Sequence, residues 1–187
     1  MGIVRLANPK TKLYKEVKSY ILSGRFPWYF HEQQHPDEYH DDNPNAKHMF
    51  VHPKMNLDKL GHVPMHNHGF LGRPEPLPRL EDIEYLPMVY GMMKEILTYN
   101  HIIPEVVYRI AANQVRPNSN IDTTHIHIDH YFPHKNMLIY FTDAGGETIV
   151  EDDFHDPQED DVIVFEGYHT HNVPKLKTRV VLVATYL

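Results

Sequence analysis

Apolar positions along this chain change their period once, near residue 105. Upstream, Leu13, Val17, Tyr20, Ile21 and Leu22 recur at helical spacing and Gly24 closes the run, which predicts a helix over residues 11–23. Residues 87–100 predict a second helix, with Pro87 suited to a first turn and an apolar stripe of Tyr90, Met93, Ile96 and Leu97. A stripe of this kind reads as core rather than as a cofactor box. From residue 105 the period falls to two, and the predicted strands are 105–113, 123–130, 136–143, 147–151, 160–166 and 178–186. Asp143-Ala144-Gly145-Gly146 is a turn between two of them. Short strands in series with turns between them predict an antiparallel sandwich or barrel.

The segment between the helices has neither period. Residues 26–79 carry Pro27, Pro36, Pro44, Pro53, Pro64, Pro74, Pro76 and Pro78 and are crowded with histidine, so long irregular loops are expected. Phe26-Pro27-Trp28-Tyr29-Phe30 is too aromatic to stay in water and should pack on something. His66-Asn67-His68 has no acidic residue at a ligand spacing and reads as ordinary loop.

Composition narrows the class. At 187 residues the chain suits one domain, with 1–104 helical and loop-rich and 105–187 the β core. No apolar run approaches the roughly 20 residues that span a bilayer, and the N-terminus does not read as a signal peptide. There is no cysteine, which removes disulfides, thiolate zinc sites and cysteine nucleophiles and fits a reducing cytoplasm. A net charge of −7 argues against general nucleic-acid binding. The outlying count is 16 histidines, against about four in an ordinary chain of this size. Taken singly, most should be exposed loop residues.

One spacing among them carries chemistry. His127-Ile128-Asp129 lies in a strand-like run, where residues two apart share a face about 6.6 Å apart along the backbone. An imidazole and a carboxylate on one face, with a second histidine from elsewhere, form the facial 2-His-1-carboxylate set that leaves open positions on an octahedral metal. His169 and His171 both qualify as the distal ligand, and the spacing favours His171, six residues after Phe165 and eight before Arg179. Arg179 shares strand parity with Val181 and Val183, so a core-facing strand would bury its guanidinium. Such burial is costly without a partner, and a bound dicarboxylate supplies one. His125 reads as a pocket neighbour rather than a ligand, and His130 and His134 as exposed. Asp152-Asp153 and Glu159-Asp160-Asp161 read as a solvated edge.

From Asn113 to Leu187 the chain resembles the 2-oxoglutarate and iron(II)-dependent dioxygenase superfamily, and within it the prolyl 4-hydroxylase-like enzymes of bacteria and phages. The motifs that carry the resemblance are His127-Ile128-Asp129, Tyr140-Phe141-Thr142-Asp143, Gly145-Gly146-Glu147-Thr148, Phe165-Glu166-Gly167-Tyr168-His169-Thr170-His171 and Arg179, in the family's order. Phe141 and Thr142 stand where Leu and Asn are usual. Phe26-Pro27-Trp28-Tyr29 is similar to the N-terminal region of the phage enzymes.

The resemblance implies a mainly β fold with N-terminal helices, a double-stranded β-helix (jelly roll, cupin-like). It implies iron(II) on His127, Asp129 and His171, with Arg179 binding the distal carboxylate of 2-oxoglutarate. Tyr140, Thr148 and Asn113 match positions near that cosubstrate, and ascorbate is the expected reductant. The activity implied is hydroxylation of a small-molecule or peptide substrate, since related halogenases lack the carboxylate that Asp129 provides. A cupin-like metal protein and a non-catalytic jelly-roll module are the alternatives. Part of residues 26–79 is expected to cover the metal as a lid, with Trp28 a candidate substrate platform.

Overall fold

The computed structural model describes residues 2–31, 50–72 and 82–187. The regular elements among them are α1 (Lys12–Ile21) and α2 (Leu86–Tyr99), with strands β1 (Val4–Leu6), β2 (Tyr29–His31), β3 (Leu60–Gly61), β4 (Met65–Leu71), β5 (Val107–Val115), β6 (Thr123–Thr124), β7 (Lys135–Tyr140), β8 (Thr148–Val150), β9 (Asp153–His155), β10 (Val162–Phe165), β11 (Thr170–His171) and β12 (Arg179–Tyr186).

Both predicted helices form. The Thr11 side chain starts α1 by accepting from the Tyr14 amide at 3.1 Å. Tyr14, Val17 and Ile21 then fall on one buried face. In α2 the buried stripe is Val89, Met92, Met93, Ile96 and Leu97, and Tyr90 is exposed instead. These side chains pack with Ala112, Met137, Ile139 and Leu182, so the helices cover one face of the main sheet. Each fully buried Ile or Leu there contributes about 1.5–3 kcal/mol.

The molecule is mostly β. Seven strands form one sheet in the order β1-β10-β7-β12-β5-β4-β2, every neighbouring pair antiparallel. The strand at its centre, β12, is buried along its whole length. Its register sets the two faces. Leu182 lies opposite Ile139 and Ala112, toward the helices. Val181 lies between Tyr140 and Asn113, and Val183 between Leu138 and Ala111, on the other face. That second face packs through Leu138, Tyr140, Ile163, Phe165, Val181 and Val183 onto Val150 of a three-stranded sheet, β11-β8-β9. Strands β3 and β6 make a separate parallel pair.

Two expectations fail. The predicted strand 123–130 shrinks to Thr123–Thr124 plus an isolated bridge between His127 and His169. His66-Asn67-His68 is not loop but the middle of β4, which pairs with β5. Two of its polar side chains have fixed partners: Asn67 donates to the Asn113 side chain at 2.6 Å, and His68 lies 2.8 Å from the Pro27 carbonyl and 2.9 Å from Asp82. Polar residues with fixed partners occupy strand positions without the apolar alternation that sequence reading relies on. Much of the proline-rich segment, residues 32–49 and 73–81, lies outside the described residues.

Candidate metal centre

On the face of the main sheet turned away from the helices, three histidines converge. Ligand nitrogens of His127, His169 and His171 all lie within 4.8 Å of one another. They line a small pocket together with Met65, Arg109, Asn113, Asp129, Leu138 and Val183. The backbone brings them there by two short pairings. His127 and His169 exchange both amide–carbonyl hydrogen bonds at 2.9 Å, and His171 pairs with Thr148 across β11 and β8.

Each imidazole is aimed by the ring nitrogen that a metal would not use. His127 Nδ1 lies 2.9 Å from the His125 carbonyl and His169 Nδ1 lies 3.3 Å from the Gly167 carbonyl. A carbonyl only accepts, so both rings carry a proton on Nδ1, which leaves Nε2 as the atom facing the cluster. His171 Nδ1 lies 2.9 Å from the Thr148 hydroxyl, which in turn lies 2.6 Å from the Tyr140 hydroxyl. Burial, with His127 alongside, holds His169 down to about 3. Burial, then the neighbouring His169 and Arg179, pushes His171 well below the ordinary histidine range. Both are therefore neutral near pH 7, the state in which imidazole binds metal.

Asp129 reaches the same pocket and is buried. Its Oδ1 accepts from Arg109 Nη1 at 3.0 Å, and its Oδ2 lies 3.7 Å from His169 Nε2. Arg109 was not singled out from the sequence, although the parity argument used for Arg179 reaches it: it stands on β5 opposite Thr185, on the face that carries Asn113. His169, one of two candidates for the distal position, joins the cluster alongside His171 rather than in place of it.

Arg179 is buried on the face predicted from parity with Val181 and Val183. Its Nη1 donates to the carbonyls of Gly146 at 2.7 Å and Asn172 at 3.1 Å, while Nε has no hydrogen-bond partner among the described residues. Gly146 has φ +83°, and a Cβ there would stand 2.6 Å from the Asn172 carbonyl and 2.9 Å from Arg179 Nη1. Only glycine fits this cradle. Burial lowers Arg179 from its ordinary value, with Tyr140 and Glu147 opposing. Burial likewise pushes Tyr140 up to about 12, against the pull of Arg179. Asn113 lines the pocket, its side-chain oxygen held by Asn67.

Several histidine expectations are corrected. His130 and His134 are buried, not exposed; His130 Nε2 lies 2.7 Å from Thr185 Oγ1, and His134 Nδ1 lies 2.8 Å from the Phe132 carbonyl. His125 contributes its carbonyl to His127, while its ring stacks obliquely on His62 at 4.7 Å. Trp28 packs on Phe26, 4.6 Å between ring centroids, in the cluster under the helices, and does not line the metal pocket. Among the described residues of the proline-rich segment, Met65 lines it.

No protein-family model matches the chain, and no curated protein matches it. Among solved structures, a 2OG-Fe(II) oxygenase family oxidoreductase from Burkholderia pseudomallei superimposes over 99% of this chain and 84% of its own, with a TM-score of 0.68 at 14% identity. A viral collagen prolyl hydroxylase from Paramecium Bursaria Chlorella virus-1, in complex with 2OG, matches over 85% of this chain and 94% of its own at 15% identity and a TM-score of 0.48. A Pseudomonas putida prolyl-4-hydroxylase matches over 94% of this chain and 99% of its own at 11% identity and a TM-score of 0.42. The first of these likenesses carries the conclusion: the chain has the fold of a 2OG-Fe(II) oxygenase family protein.

Proposed function

We propose that the protein is a non-haem iron(II) and 2-oxoglutarate-dependent dioxygenase that hydroxylates its substrate, and that its β core is a double-stranded β-helix within a single domain. The observation that carries this reading is the pairing of a converged histidine cluster with a second, separate feature, the buried Arg179 whose Nε lacks a partner among the described residues. A bare metal-binding module needs the first and has no use for the second.

The residues present fit the cofactors. His127 and His171 offer Nε2 donors and Asp129 a carboxylate, the donor set suited to iron(II). Iron(II) bound there supplies dioxygen activation coupled to decarboxylation of 2-oxoglutarate, with ascorbate as external reductant. Arg179 binds the distal carboxylate of the 2-oxo acid, as a guanidinium held by two backbone carbonyls is already oriented for it. With His171 bound through Nε2, its Nδ1–H donates to Thr148, whose hydroxyl donates to Tyr140. The Tyr140 proton is then free to meet the cosubstrate. Asn113 stands at the pocket wall for the same ligand. Leu138, Val181 and Val183 form the apolar surround, which excludes water from the reacting groups.

The substrate is a small molecule or a peptide, reached from the side where Met65 and the edge strand β2 stand. The cysteine-free sequence suits a cytoplasmic enzyme. Among the described residues no helix is long and apolar enough to cross a membrane. A succinate-release screen across peptide, amino-acid, nucleobase and small-metabolite substrates, with iron(II) and ascorbate, tests the proposal. Substrate-stimulated succinate supports it, and 2-oxoglutarate that is never consumed contradicts it.

A further inference from the structure

A 2-oxo acid that chelates the metal and also meets Arg179 is held at both ends, so the spacing of the two holders must fit its length. One residue is tied to both. Asn172 follows His171 in the chain, and its carbonyl accepts from Arg179 Nη1 at 3.1 Å. It uses each of its polar atoms. Its amide donates to the Glu147 carbonyl at 2.8 Å, its Oδ1 accepts from the Thr123 hydroxyl at 2.8 Å, and its Nδ2 donates to the Lys54 carbonyl and to Glu147 Oε2, both at 2.9 Å. Glu147 follows Gly146, whose carbonyl is the other acceptor of Arg179 Nη1. Asn172 therefore ties together the two carbonyls that aim the guanidinium. His171 has anchors of its own: its amide donates to Thr124 Oγ1 at 3.0 Å, and its ring meets Thr148.

Two partners of this network come from the proline-rich segment. Lys54 gives Asn172 a backbone carbonyl and pairs its ammonium with Glu147 Oε1 at 2.9 Å. Asn56 donates its amide to the same Thr123 hydroxyl at 3.0 Å. This stretch is thereby strapped to the turn that holds Arg179. We propose that Asn172 is a positioning residue that sets the distance between the metal and Arg179, and that residues 54–56 act through it as a buttress, so that the site selects the length of the 2-oxo acid it binds. The proposal rests on the oxygenase reading and deepens it. A polar network whose members are all satisfied holds one geometry; with Asn172 removed, its partners lose their bonds and the guanidinium loses its fixed aim. The site then accepts acids of other lengths.

The iron(II)-loaded full-length protein is titrated calorimetrically, without oxygen, with 2-oxoglutarate and with 2-oxoadipate, which is one methylene longer. Wild type should bind 2-oxoglutarate about 10-fold or more tightly than 2-oxoadipate. Asn172→Ala should lose about 10- to 100-fold for 2-oxoglutarate and less for 2-oxoadipate, so that the preference shrinks. Its affinity for iron(II), read by competition with a chelator, should stay close to that of wild type, because His171 keeps its other anchors. Asn172→Asp keeps the size and the Thr123 contact but loses both donated bonds, and it should shift the preference the same way even if Asn172→Ala does not fold. A wild-type protein that does not discriminate between the two acids, or variants that melt lower with the preference intact, overturns the proposal and leaves the oxygenase reading standing. Failure of the wild-type protein to bind any 2-oxo acid removes that reading, and the proposal with it.

Discussion

The Thr148 hydroxyl lies 2.9 Å from His171 Nδ1 and 2.6 Å from the Tyr140 hydroxyl, joining the histidine cluster to Tyr140. Through it, the tautomer of His171 and the proton position of Tyr140 become one choice. Replacing Thr148 by Val keeps the shape and removes the link. Metal affinity should drop about 10-fold, and the pH at which cosubstrate binding is lost should move with Tyr140. Wild-type affinity for both ligands in Thr148→Val would show that the contact is incidental.

Arg179→Ala should weaken 2-oxoglutarate binding by about 1.5–3 kcal/mol, roughly 10- to 150-fold. Metal binding should change little, because the guanidinium touches backbone carbonyls and not the histidine cluster's ligand atoms. Calorimetric titration with metal and cosubstrate in turn separates the two. Equal losses in both would mean that Arg179 merely holds the fold.

Gly146→Ala forces a Cβ to 2.6 Å from the Asn172 carbonyl at a backbone φ of +83°. The left-handed conformation alone costs about 1 kcal/mol, and the clash adds to it. Both a lower melting temperature and weaker 2-oxoglutarate binding are expected, since Arg179 Nη1 shares the same space. A variant as stable as wild type with intact binding would show that the turn relaxes freely.

Much of this was legible in the sequence, and the exceptions have physical causes. Strands such as β7, β10 and β12 announce themselves through runs of Val, Ile and Leu, and parity along β12 alone assigned Arg179 to the interior. Strand β4 was invisible because His66, Asn67 and His68 are polar, the latter two with fixed hydrogen-bond partners, which periodicity cannot distinguish from loop. The His169–His171 spacing was visible as a choice between two ligands. That both converge depends on the bridge between His127 and His169, a pairing no local pattern encodes. The acidic run at Glu159–Asp161 read as a solvated edge, yet Asp160 receives Tyr14, Lys10 and Lys18.

That last cluster gives a pH dependence. Burial would raise Asp160, but hydrogen bonds from Lys18, Tyr14 and Lys10 outweigh it and hold the carboxyl down to about 2. A depressed folded-state value stabilises the fold above the unfolded value of about 3.9, and the benefit is lost as pH falls from there toward 2. The group is partly exposed, so the stabilisation is discounted to about 1–2 kcal/mol. Denaturant midpoints of wild type and Asp160→Asn should differ at pH 6 and converge near pH 2. A constant gap across that range would remove the ion pair as its cause.

The central claim is that the histidine cluster and Arg179 together hold iron and a 2-oxo acid. Iron(II) and then 2-oxoglutarate are added to the metal-free protein without oxygen, and the visible absorption is recorded. A metal-to-ligand charge-transfer band that needs both additions, that is lost in His127→Ala and His171→Ala and that needs far more 2-oxoglutarate in Arg179→Ala is the predicted result. Iron binding with no band at any 2-oxoglutarate concentration would contradict the account.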